Sequence, residues 1–254
     1  MKLAYIWFRF HNHIFWRTPV AAFFTLALPL VMMIIFVSIF GSDPYGTGGQ
    51  INISEFYVPA LASFTAATAT YTNLGVTLSF MREDGTLKRV RGTPAAPWQF
   101  LTGTVASAVW VAFLGATILF VVGTFIADIS INYSQIGWMA LFFAVGVLAF
   151  AVLGMAVSIL AKTGQAASAI TNATILPLAF ISNIFIPMDD PPRWMEILGG
   201  IFPLRSFAEG FRSGFDSTLQ DGRLADLLVV AAWGVVGLIF VLKYFQWVPK
   251  AESE

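Results

Sequence analysis

"MREDGTLKRVRGT", residues 81–93, holds six of the chain's twenty-eight Asp, Glu, Lys and Arg side chains. On its N-terminal side runs "PALASFTAATATYTNLGVTLSF", residues 59–80, without a charge. On its C-terminal side runs "PWQFLTGTVASAVWVAFLGATILFVVGTFI", residues 97–126, also without one. A helix needs about 20 predominantly apolar residues to cross the hydrocarbon core of a bilayer. Two such stretches joined by a short charged turn read as two spans and the loop between them, and that reading decides the fold.

Outward from the turn the same pattern continues. Hydrophobic residues make up 57% of the 254-residue chain and charged ones 11%, against about a quarter charged in ordinary globular domains. Lipid is therefore the solvent. Six stretches have spanning length: about 19–40, 56–80, 97–126, 137–160, 166–186 and 227–242. The class is an all-α polytopic membrane protein of six transmembrane helices, one domain covering 1–254. The turn-punctuated alternation of a membrane barrel is absent.

Two pieces do not span. "LAYIWFRFHNHIFW", residues 3–16, mixes aromatics with Arg9, His11 and His13. It suits an interfacial helix over 1–17, with an extension of the first span as the alternative. In the long loop before the sixth span, Trp194, Ile197, Leu198 and Ile201 recur at helical spacing. Leu204, Phe207, Phe211 and Phe215 do the same after Pro203. Two short extracellular helices broken by "GG" and "FP" follow, re-entrant or lying on the outer face.

Basic residues set the orientation. With the N-terminus in the cytoplasm, ten of the fourteen Lys and Arg fall on inner segments, as the positive-inside rule asks. Both termini are then cytoplasmic, and so is the 81–93 turn.

Absences narrow the function. A formal net charge of zero gives no electrostatic case for nucleic acid. There is no cysteine, and two histidines two residues apart make a poor metal pair. No ionisable residue lies well inside a span, which disfavours proton- and ion-coupled carriers. No glycine-rich turn runs into Gly-Lys-Ser/Thr; "ILAKTGQ", residues 159–165, is the nearest string and lacks the pattern. The chain reads as a non-enzyme that binds no cofactor itself, its energy entering through a partner.

The turn carries both signs, and a retention signal would need only the basic ones. Acids beside "GT", then "LKRV", suggest a short helix able to dock a soluble subunit, and Thr93-Pro94 suits the start of the next helix. A solvated loop is the alternative. Along the second span Thr65, Thr68 and Thr72 fall near one face, with Asn73 on an adjoining one. The fifth span carries Asn172, Phe180 and Asn183. Helix packing and the lining of a substrate path are both open readings for these residues.

"MREDGTLKRVRGTPAAPWQFL" resembles the cytoplasmic loop of ABC-2 type transporter permeases: arginine, glutamate, any residue, glycine, threonine, a basic helix, then "TP". "ISNIFIPMDDPPRWMEILGGIFPLRSFAEGFR" resembles the segment after that family's fifth span, departing from it at Phe202, where asparagine is frequent. The resemblance implies a six-helix half-transporter in the bacterial plasma membrane. It would pair with a second permease, a copy or a paralogue, and bind two ABC ATPase subunits that bring ATP and Mg. It assigns Arg82, Glu83, Asp84, Gly85, Thr86, Lys88 and Arg89 to a coupling helix that touches the ATPase. It implies that the second and fifth spans meet at the dimer interface, where Thr65, Thr68, Thr72, Asn73, Asn172, Phe180 and Asn183 could serve packing and substrate path together. An uncharged path among Phe and Met suits export of an amphipathic or apolar drug, antibiotic or lipid. A lipid-linked glycan exporter and a non-transporting membrane scaffold are the alternatives.

Overall fold

The computed structural model describes residues 2–41, 43–45, 51–92, 96–127, 129, 133–187, 191–215 and 219–245. The Thr93-Pro94 start and the acids of "PMDDPP" lie outside them.

Helix α1 spans Lys2–Trp16, and α2 spans Pro19–Ala22. A π-helical turn over Phe23–Ala27 leads into α3, Leu28–Phe40. Proline causes that turn. Pro29 has no N–H for the Thr25 carbonyl, and its ring would crowd that oxygen. The chain instead widens, with the Leu28 N–H reaching back to the Phe23 carbonyl. A short antiparallel ladder, β1 Pro44–Tyr45 with β2 Ile51–Asn52, turns the chain into α4, Ile53–Glu83. Asn52 and Glu55 form a capping box at its start, each side chain satisfying an orphan backbone donor of the first turn.

The remaining helices are α5 Thr86–Arg91, α6 Pro97–Ala127, α7 Ile136–Leu160 and α8 Gly164–Ile181, then α9 Arg193–Ile201, α10 Pro203–Arg212 and α11 Arg223–Tyr244. These match the expected elements to within a few residues, with one difference inside the long loop. Gly199 and Gly200 do not break α9, which runs to Ile201. The break falls at Phe202, whose extended ψ of 147° is the conformation a residue before proline is pushed into.

Among the described residues, five segments are long and apolar enough to cross a membrane: Pro19–Phe40, Trp98–Ile126, Tyr133–Leu160, Gly164–Ile181 and Arg223–Tyr244. Helix α4, expected as the second span, is not among them because its hydroxyls and small side chains lower its apolarity. Its 31 residues make a rod of about 46 Å. It is the axis of the bundle, packed on α6, α7, α8, α10 and α3, with Phe56, Leu61, Ala66 and Ala67 fully buried. Where every neighbour is protein, close approach matters more than hydrophobicity, and small residues supply it. A Cβ on Gly154 of α7 would lie 2.4 Å from the Tyr71 carbonyl of α4, so at that crossing two helix backbones touch.

The expected interfacial helix α1 lies along the start of α6. Trp7 meets the Phe100 ring edge-on at 5.1 Å, and His11 is buried against Thr104, Nε2 to Oγ1, at 2.9 Å. Burial lowers the His11 pKa to about 4, so the ring is neutral near pH 7.

The two loop helices behave differently. Helix α9 leaves Trp194, Ile197 and Ile201 more than half exposed. Helix α10 is sunk between α4, α7 and α11, burying Leu204, Phe207 and Phe211. Arg212 is buried at its end, 4.7 Å from the Phe56 ring and 3.5 Å from Glu209.

Candidate functional site

The charged turn is built by two adjacent side chains that face inward. At the end of α4, Arg82 donates to the Ser158 and Ala161 carbonyls, the unpaired acceptors at the C-terminus of α7. Glu83 accepts from the Gly164 N–H at 2.8 Å, an unpaired donor at the N-terminus of α8. A helix carries about half a positive charge at its N-terminus and half a negative one at its C-terminus. The cation therefore sits on the negative end of one helix and the anion on the positive end of the next. Thr163 completes the α8 cap by accepting from Ala166 N at 3.1 Å. Half-burial lowers the Arg82 pKa without neutralising a guanidinium.

Past the clasp the chain reverses. Asp84 ends α4, and Gly85 takes a left-handed φ of 68° before α5 begins. An L side chain pays steric strain in that region, which accounts for glycine here. Leu87 and Val90, three residues apart, are buried. They share a small core with Leu78 and Met81 of α4, Phe100 of α6, Met155 of α7 and Val241 of α11. The opposite side of α5 exposes Lys88, Arg89 and Arg91. Arg89 turns back onto the Thr86 hydroxyl at 3.2 Å and the Asp84 carbonyl at 3.4 Å. The seven residues assigned to the turn thus divide. Arg82 and Glu83 hold the bundle together, Gly85 and Thr86 shape the reversal, and Lys88 and Arg89 face outward beside Asp84.

The second candidate set is not one surface. Thr65 is buried where Gly115 of α6 comes close to its methyl and to Leu26. Thr68 spends its hydroxyl on the Phe64 and Thr65 carbonyls of its own helix. The Thr65 and Thr72 hydroxyls are buried without a partner. Asn73 donates to Thr25 in the π turn at 3.3 Å, linking α4 to the first span. On α8, Asn172 and Phe180 are exposed, with Asn172 bonded to the Ser168 carbonyl at 2.9 Å. Asn183 lies just past α8 with a positive φ of 56°. Tyr71 and Thr174 join α4 to α8 by a 2.7 Å hydroxyl pair. Tyrosine among threonines gave no signal of a partner a hundred residues away.

Among the described residues no group of His, Asp and Glu is placed to hold a metal ion.

Residues 4–215 match the family model described as ABC-2 type transporter, so the chain belongs to that family. It is 27% identical over 163 residues to the probable multidrug ABC transporter permease YbhR of Escherichia coli K12, covering 63% of this chain and 43% of YbhR. The match thus spans less than half the length of that relative. The putative transport permease YvfS of Bacillus subtilis is 22% identical over 196 residues, 76% of this chain and 78% of YvfS. The inner membrane transport permease YadH of E. coli K12 is 20% identical over 226 residues, 87% of this chain and 84% of YadH.

Proposed function

We propose that this chain is the membrane subunit of an ATP-driven exporter in a bacterial plasma membrane, moving an amphipathic or apolar cargo outward. Family membership and the permeases it is similar to support transport; YbhR's name supports a drug-like cargo. In this reading α4 is the second of six spans. It runs beside α8 from end to end: Tyr57 donates to the Phe185 carbonyl past one end of α8 at 3.1 Å, and Glu83 caps the other. A helix that keeps pace with an apolar span from end to end crosses the same thickness. Being wrapped in protein, it can do so with threonines. Helix α10 enters the outer leaflet as a re-entrant segment, its buried face against the span helices.

The observation that carries the mechanism is the double clasp. A partner ATPase docks on the exposed basic side of α5, and two permeases pair above two ATPases. Force on α5 passes through Asp84 and Gly85 to Arg82 and Glu83, which grip the α7–α8 turn. One cytoplasmic push thereby moves three helices together. The exposed residues are the clean site for a test, because Glu83 is occupied with α8. In the complex with its ATPase, Lys88→Gln/Arg89→Gln/Arg91→Gln should leave size-exclusion behaviour and thermal stability unchanged. Transport per ATP hydrolysed should fall at least tenfold. Unchanged coupling in that variant contradicts the docking role.

A further inference from the structure

A cavity of about 400 Å³ lies between α1, α4 and α6 at the α5 end of the bundle, a volume within the range of small-molecule pockets. Its apolar lining includes Phe10 and Ile14 of α1, Leu74 and Met81 of α4, and Val111 of α6. Its polar lining includes His11, Asn73, Thr77, Thr104, Asp84 and Thr86. Among the described residues no Lys or Arg lines it; Arg89, bonded to the Thr86 hydroxyl and the Asp84 carbonyl, stands outside the lining.

His11 gives the cavity a chemical preference. It is 5% exposed, and its Nδ1 is buried without a partner. A buried acceptor left unpaired is unfavourable, so a donor that reaches it is favoured. The tautomer follows from Thr104. That hydroxyl has one proton, and its Oγ1 stands 2.9 Å from the Phe100 carbonyl, which can only accept. The proton on the 2.9 Å contact to His11 therefore comes from Nε2, and Nδ1 is left a bare acceptor. Asp84 adds acceptor oxygens. A pocket with an apolar lining, an unpaired acceptor, a carboxylate and no cation among its described lining residues fits a donor-bearing head on a hydrocarbon tail better than a phosphate or carboxylate head.

We infer that this cavity binds an amphiphile with one alkyl chain and a head of hydroxyl or ammonium donors, the donor bonding His11 Nδ1. The test uses the purified full chain in phosphatidylcholine nanodiscs with dodecylamine and dodecanol probes carrying a terminal diazirine, and the matching dodecanoic acid probe as contrast. After illumination, peptide mass spectrometry should place the amine and alcohol labels within residues 10–18 and 69–86. Excess unlabelled dodecylamine should suppress labelling at least tenfold, and the acid probe should label those segments at least fivefold less. Ala108→Trp should fill the space and abolish the signal. Because competition is read on the unmodified chain, the result does not depend on that variant folding. Equal labelling by acid and amine, or labelling that unlabelled dodecylamine does not suppress, overturns the inference. Native mass spectrometry then separates the two sources of such a ligand. An amphiphile retained through purification identifies a resident lipid, and one that binds only when added identifies an exchangeable cargo. Neither arm uses nucleotide or transport, so a negative result leaves the proposed exporter role standing, and the reverse also holds.

Discussion

At the scale of single residues, Arg82 and Glu83 combine two roles. Each completes a helix end that would otherwise keep unpaired backbone groups. Arg82→Ala removes two charge-assisted bonds to carbonyls, and we expect a loss of about 1.5–3 kcal/mol in reversible unfolding from mild detergent. Glu83→Gln keeps an acceptor for Gly164 and should cost well under half of that. A thermal-shift series on the two variants checks the order, and an Arg82→Ala protein as stable as the parent contradicts the clasp. His11 sets a pH dependence. Its pKa is depressed from 6.5 to about 4 in the folded protein, so the unfolded or undocked segment binds the proton more readily. The docking of α1 is therefore intact above about pH 6.5 and weakens as pH falls toward 4. Lowering the pH from 6.5 to 5 should cost about 2 kcal/mol. Hydrogen exchange of residues 5–14 should rise over that interval, and His11→Phe should flatten the response.

At the scale of elements, the sequence showed where helices begin and end far better than what they touch. Proline at 19, 97 and 203 marked three helix starts, and apolar length marked the spans. The π turn ahead of Pro29 was missed, because a proline inside an apolar run signals a disturbance without saying how the chain absorbs it. The polar face of α4 was read as packing or as path. The structure gives its members different neighbours: α6 and the first span for Thr65, the π turn for Asn73. No periodicity within one helix carries that information. The Gly154–Tyr71 crossing makes a prediction at this scale. Gly154→Val puts side-chain atoms where the α4 backbone lies, so α4 and α7 must separate. An overpacking cost of about 1–3 kcal/mol and a loss of transport out of proportion to expression are expected. Gly85→Ala meets nothing within 4 Å. It should cost only the left-handed strain of about 1 kcal/mol, so the two variants separate contact from conformation.

At the scale of the whole molecule, the charged turn lies at one end of the bundle, and its expected cytoplasmic side follows from basic residues flanking the spans. The opposite end holds the ladder before α4, the start of α7 and the α9–α10 hairpin. The sequence reading reached the helical layout because apolar length acts over the whole chain. It could not see that Arg82 and Glu83 point inward, because their partners lie some eighty residues on and were chosen by folding. The chain has no native cysteine, so one introduced at Lys88 is a unique reporter of sidedness. In intact cells a membrane-impermeant maleimide should leave Lys88→Cys unlabelled until the membrane is permeabilised, while Tyr133→Cys, at the opposite end and 83% exposed, labels at once. Labelling of Lys88→Cys in intact cells as fast as the Tyr133→Cys control would put the turn outside, where no ATP-driven partner can reach it, and would contradict the account.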